Sequence, residues 1–203
     1  MTDFWLPHLA FTLLVFLLCV RLARNALQCG ILLAGCLMLS LLPMQGISLA
    51  LQLRTYIGDL SVASLVLLGW ATLCRFGLPH ADARDRLASL ALFAGLAVLL
   101  YPATLGLSYA DPYQLGFEPR PMLLVLGLLC AVLILQSSWL GALALLLATL
   151  AFALRLGASE NYWNYLIDPY LALYSLGALL LAGARWLRAR RRAALSTATR
   201  NLA

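Results

Sequence analysis

The order of apolar and polar positions divides the chain into seven apolar stretches with short polar breaks between them. They run at about 7–20, 26–44, 60–75, 87–109, 121–136, 139–156 and 169–186. Mostly apolar runs of this kind are the mark of membrane-spanning helices. The break that defines the fifth and sixth stretches is the faintest, because residues 122–154 contain no charge. As one helix, these 33 residues would extend about 50 Å at 1.5 Å rise, against a hydrocarbon core of about 30 Å. The chain is therefore expected to turn there, and Gln136-Ser137-Ser138 is the polar interruption available. Without that turn the count would be six.

Composition strengthens the assignment. Of 203 residues, 64% are hydrophobic and 11% charged, with a mean hydropathy of +0.92. A soluble domain carries roughly 25% charged residues. The expected class is an all-α polytopic membrane protein, with residues 1–187 as the transmembrane helical domain and 188–203 as a short basic tail. Met1 to His8 lacks a basic segment and Arg21 and Arg24 follow the first apolar run, so the first helix is expected to stay in the mature protein.

Charge predicts the orientation. All 14 basic side chains are arginine. With the amino terminus outside and the carboxyl terminus cytoplasmic, the inner segments hold Arg21, Arg24, Arg75, Arg84, Arg86, Arg185, Arg188, Arg190, Arg191, Arg192 and Arg200, leaving Arg54, Arg120 and Arg155 outside. Eleven against three follows the positive-inside rule, and a six-span threading cannot satisfy it in both halves. The outer side then takes Asp3, Asp59, Asp111, Glu118, Glu160 and Asp168, six of the eight acids. The arginine-only, Leu- and Ala-rich composition fits a GC-rich bacterial genome, so the expected location is the bacterial inner membrane.

Three outer segments carry the polar chemistry. In 45–59, Ser48, Gln52, Thr55 and Asp59 fall on one helical side with Leu49, Leu53 and Tyr56 on another, which predicts a helix in the interface or an extension of the third span. Arg54 is expected to reach lipid phosphate and Asp59, after Gly58, to cap the third spanning helix. In 109–121, Asp111 before Pro112 reads as a helix start, and Glu118 with Arg120 as a polar pair able to hold a phosphate or carboxylate. In 159–170, Glu160, Asn161, Asn164 and Asp168 stand among Tyr162, Trp163 and Tyr165. A helical turn would put Asn161, Tyr165 and Asp168 on one face. Rings with amides and carboxylates suit a sugar or head-group surface, while an interfacial aromatic belt and a cap at Asp168-Pro169 account for the same residues structurally.

The candidate ligand-binding residues are thus Arg54, Tyr113, Arg120, Asn161, Tyr162, Trp163, Asn164 and Tyr165, and the candidate acid–base groups Asp59, Glu118, Glu160 and Asp168. The spans offer few polar elements, chiefly Ser64, Thr104, Ser108 and a kinking Pro102, which disfavours a coupled transporter. Cys19, Cys29, Cys36, Cys74 and Cys130 all lie in apolar runs and read as packing residues. Gly141, Ala144, Ala148 and Ala151, and likewise Gly30 and Ala34, form small-residue stripes for close helix approach. No nucleophile motif, phosphate loop, metal site or cofactor signature is present, and the basic tail reads as lipid contact rather than nucleic-acid binding. These features point to a non-enzymatic subunit of a bacterial envelope system, whose outer face docks a protein partner or holds a lipid-linked glycan or phospholipid head group. A small outer-leaflet transferase or hydrolase is the alternative, and an uncoupled transporter or flippase a third.

Overall fold

The computed structural model describes residues 5–107 and 109–200; Asp3 and Ser108, read above as an outer acid and a polar span residue, lie outside them. Apart from one two-residue hairpin, Pro43–Met44 against Ile47–Ser48, the described chain is all-helical. Its helices are α1 (Trp5–Cys19), α2 (Ala26–Leu41), α3 (Leu49–Ile57), α4 (Val62–Arg75), α5 (Ala83–Thr104), α6 (Pro119–Leu135), α7 (Trp139–Ala153), α8 (Trp163–Leu166) and α9 (Pro169–Arg200). Every predicted apolar stretch holds one of these helices. Three of them are long and apolar enough to cross a membrane: Trp5–Leu22, Ala83–Thr104 and Pro169–Arg192. The other four, of 14 to 17 residues, extend only about 21–26 Å. The chain has the character of a membrane protein, and its surface agrees: Leu18, Leu27, Leu124, Leu135 and Leu180 are all at least three-quarters or nearly so exposed, from 74% to 85%, an apolar exposure that calls for lipid or a partner.

Local chemistry explains the helix boundaries. Asn25 Oδ1 accepts from Gln28 N at 2.8 Å while Gln28 Oε1 accepts from Arg24 N at 2.7 Å, closing the start of α2 reciprocally. Ser48 and Ser61 cap α3 and α4 through their hydroxyls. The uncharged run divides because Ser137 takes a left-handed conformation at φ 57°, with Ser138 N bonded to Leu133 O and Ser137 N to Ile134 O. This is a Schellman closure made without glycine. The same motif ends α5 two residues beyond Pro102, where Gly106 supplies the left-handed residue at φ 73°.

Packing divides the bundle in two. Helix α7 lies at the centre of the larger unit, touching α4, α5 and α6, with α9 on α5. Gly141, Ala144, Ala148 and Ala151 are all buried there, the close approach the small-residue stripe predicts. The second unit is α1 with α2 and α3, cored by Phe16, Val20, Cys29 and Cys36. Here the other stripe is corrected: Ala34 is exposed and Gly30 faces open space, so α2 packs through its cysteines and leucines instead.

Hydrogen bonds gather the loops at two ends. The Asp85 carboxylate accepts from Ser138 Oγ at 2.8 Å and Leu140 N at 3.2 Å, so a side chain of α5 caps α7. Phe16 stacks on Phe76 near the same end, which carries Arg21, Arg24, Arg75, Arg84 and Arg86. The opposite end collects the start of α1, residues 42–61, 105–107, 109–118 and 154–168. His8 there stands 3.1 Å from Ser40 Oγ and 3.5 Å from Ser48 Oγ. The candidate residues all belong to this loop-rich end.

Candidate functional site

Asp168 shows how the loop-rich end is built. Its Oδ1 accepts from Leu171 N at 2.9 Å, capping α9. Its Oδ2 accepts from Ser61 N at 2.9 Å, Ser61 Oγ at 2.8 Å and Ser64 Oγ at 2.5 Å. One carboxylate thus ties together the starts of two helices, where the macrodipoles favour negative charge. The cap expected at Asp168 is present and extends to a second helix. The cap expected at Asp59 is absent, because Ser61 performs that function.

Most of the segment 159–168 is interior, with Glu160 and Asn164 exposed. Tyr162, Trp163, Tyr165 and Asn161 are all buried, at 0% to 3% exposure. Trp163 Nε1 donates to Pro112 O at 2.8 Å, Asn161 Nδ2 to Tyr113 O at 2.9 Å, and Tyr162 N to Gly116 O at 3.0 Å. Asn161 Oδ1 turns back to accept from Trp163 N at 2.9 Å. Gly116 makes this docking feasible, since a Cβ there would stand 1.9 Å from Asn161 Oδ1. The Tyr162 ring stacks on Phe152 with centroids 4.7 Å apart. Thr149 uses its single hydroxyl proton on Leu145 O, so the Tyr162 hydroxyl donates to Thr149 Oγ1 at 2.5 Å. Burial pushes the Tyr162 phenol above its ordinary pKa, the Thr149 hydrogen bond offsets part of that shift, and Cys130 adds to it. Tyr165 OH lies 3.1 Å from Gly157 N, Gly157 O and Ser159 O. The predicted shared face of Asn161, Tyr165 and Asp168 does not form, because α8 is a single turn of four residues and Ile167 is extended.

Between the two packing units the structure opens a cavity of about 400 Å³, within the size range of small-molecule sites. Its inner wall is apolar, with Pro7, Ala10, Phe11, Leu100 and Ile167, and its polar groups are Arg54, Asp59, Tyr101, Thr104, Tyr113, Ser159, Asn164 and Asp168. Arg54 and Asp59 form a two-pronged ion pair, Nε to Oδ1 at 2.6 Å and Nη2 to Oδ2 at 2.7 Å, the geometry in which guanidinium and carboxylate match best. The pair bridges Gly58, whose φ of 73° breaks α3 from α4. Residues 45–59 are thus a hairpin and a separate helix, not an extension of α4, and Arg54 meets Asp59 in place of the lipid phosphate expected for it. Asn164 joins Ser159 Oγ at 2.7 Å and the Tyr113 hydroxyl at 3.3 Å, and all three residues line the cavity.

Of the candidate residues, the cavity brings together Arg54, Asp59, Tyr113, Asn164, Tyr165 and Asp168. Glu118, Arg120 and Glu160 are exposed and do not line it. Glu118 and Arg120 do not pair: among the described residues the ion pair is Arg54–Asp59. Tyr101, Thr104 and Ser159 were not among the candidates. Tyr101 and Thr104 stand on either side of Pro102 in the last turn of α5, and that proline near the helix end was the signal. Among the described residues, no three His, Cys, Asp or Glu side chains gather as a metal site.

A second cavity of about 240 Å³ adjoins the first, sharing Leu6 and Val62. It is lined by side chains of α1, α4 and α7, among them Leu9, Leu65, Val66, Leu147 and Leu150, and is apolar throughout. No protein-family model, curated protein or solved structure matches the chain.

Proposed function

We propose that the chain is a seven-pass protein of the bacterial inner membrane, amino terminus outside, whose outer end holds the polar head group of a lipid or lipid-linked glycan for a partner in an envelope system. The observation that carries this reading is the juxtaposition of the two cavities. One has a polar wall with a charge pair; the other is a greasy groove; they share Leu6 and Val62 in their walls. An amphiphile has the same two parts, so its head would occupy the first cavity and an acyl or prenyl chain the second. The orientation rests on arginine asymmetry, and the four shorter helices would cross with the help of apolar flanking residues and local thinning of the bilayer. Native mass spectrometry of the full chain, extracted in mild detergent, tests the reading. A retained lipid that is lost on Thr104→Trp at the cavity wall supports it, and equal retention by that variant rejects it. Impermeant labelling of single cysteines at Glu160 and Arg84 tests the threading. Outside access is expected at the first and cytoplasmic access at the second.

The enzyme reading keeps one favourable observation. Of the four candidate carboxylates, Asp59 alone is both exposed and on the cavity wall, where it could serve as acid or base. Asp168 is committed to four donors. Asp59→Asn that retains lipid but abolishes its turnover would establish the enzyme; unchanged lipid on both proteins would remove it.

A further inference from the structure

Resting on the reading of the cavity as a lipid site, we infer that its head group is a zwitterion with one phosphate and one primary ammonium, as in an ethanolamine phospholipid. The cavity presents one cation, Arg54, and two carboxylates, Asp59 and Asp168. Asp168 is buried and its oxygens are filled by protein donors. The exchangeable charges are therefore Arg54 and Asp59, held to each other at 2.6 and 2.7 Å with side chains 31% and 56% exposed.

A ligand that enters this pair must replace both partners or strand one of them. A phosphate oxygen pair can take the place of Asp59 at the guanidinium fork. An ammonium can take the place of Arg54 at the Asp59 carboxylate, donating N–H to Oδ1 and Oδ2. A zwitterion thus leaves neither charge unpaired. A lipid bearing phosphate alone leaves Asp59 without its partner, and a diphosphate adds a second anion beside it. The bound lipid would cover this pair, and a charge left unpaired beneath it is the costly outcome that makes a site discriminate. A quaternary ammonium has no N–H to give the carboxylate. The Tyr113 hydroxyl and Asn164 amide, which also line the cavity, can take glycerol or phosphate oxygens. The pair spans the Gly58 break between α3 and α4, so its exchange for ligand also releases the one ionic tie across that junction among the described residues.

The test is competitive lipid binding to the delipidated full chain in detergent, read by native mass spectrometry. The probes are ethanolamine, glycerol and choline phospholipids of identical acyl chains, and a polyprenyl diphosphate. The ethanolamine lipid is expected to be retained about tenfold or more over the glycerol lipid and the diphosphate, a ratio set by one unpaired charge, and over the choline lipid by a smaller margin set by the missing N–H donors. Arg54→Ala and Asp59→Asn should each abolish that preference while their thermal unfolding in detergent stays close to that of the parent. Glycerol lipid bound as tightly as ethanolamine lipid, or displacement by the diphosphate, overturns the zwitterion; choline lipid bound as tightly overturns the primary ammonium; each of these leaves the cavity reading intact. If Thr104→Trp binds all four as the parent does, the cavity is not the site and both readings fall.

Discussion

Two polar stretches at the same end of the bundle, 159–168 and 54–59, have opposite fates. The first is richer in aromatics, amides and carboxylates, and most of its side chains are turned inward. Trp163, Asn161 and Tyr162 engage the backbone of 112–116 and the side of α7, and Asp168 joins two helix starts. The second holds a single charge pair across a glycine, and that pair remains accessible at a cavity. A dense cluster of polar groups in a membrane protein satisfies itself, because an unpaired group away from water is expensive. Function is better sought where few groups are exposed in a shaped space.

The contrast predicts a hierarchy of mutational effects. Asp168→Ala should have the largest, because it strips four donors of a buried acceptor and uncaps α9 while loosening α4. The expected loss is about 3–5 kcal/mol of stability, read as a large drop in the detergent unfolding midpoint or failure to accumulate. A near-neutral Asp168→Ala would erase the distinction between the stretches. Gly116→Ala should follow at about 2–3 kcal/mol, since the added Cβ expels Asn161 Oδ1 and with it the bonds to Tyr113 and Trp163. Pairing it with Asn161→Ala sharpens the point: the double variant should lose little more than the worse single, because both act on one contact.

Tyr162→Phe should cost about 1 kcal/mol, the value of one hydrogen bond whose partner keeps another. It should also change the alkaline limb. The folded phenol sits above its ordinary value, so below a pH of about 10 it is neutral in both states and its contribution is complete. Above that pH the unfolded chain ionises first and stability falls until the folded phenol titrates too. The phenylalanine variant lacks this term, and its stability should decline less steeply above about pH 10. Equal slopes for the two proteins would place Tyr162 in water in the folded state.

The helices were legible because apolar runs announce themselves, and even the turn at Ser137 followed from the length of an uncharged run. The number of helices long enough to span was less legible, since composition does not reveal that α2, α4 and α7 stop at 14 to 16 residues in left-handed or extended closures. At the site, Arg54, Asp59, Tyr113 and Asn164 could be named from residue type alone. Their assembly with Tyr101, Thr104 and Ser159 could not, because it depends on how the α1–α3 unit rests against the rest of the bundle. Asp85 was missed for a related reason: between Arg84 and Arg86 it resembles a solvated charge, yet it caps a helix 55 residues onward in the chain. Caps donated by another helix leave no local signature.

The smallest effect on stability belongs to Arg54. Its ion pair is partly exposed, and pairs of that kind are worth about 0–1 kcal/mol. Arg54→Ala should therefore unfold within about 1 kcal/mol of the parent, and a charge-swapped Arg54→Asp, Asp59→Arg pair should do no worse. Binding should change far more than folding, because the guanidinium is the one cation on the cavity wall. This inverts the pattern expected at Asp168, where folding should fail before binding can be measured. A variant at Arg54 that unfolds as badly as Asp168→Ala would make the charge pair a strut between α3 and α4. Retained stability with lost lipid would identify it as the part of this end that its own fold leaves free for a ligand.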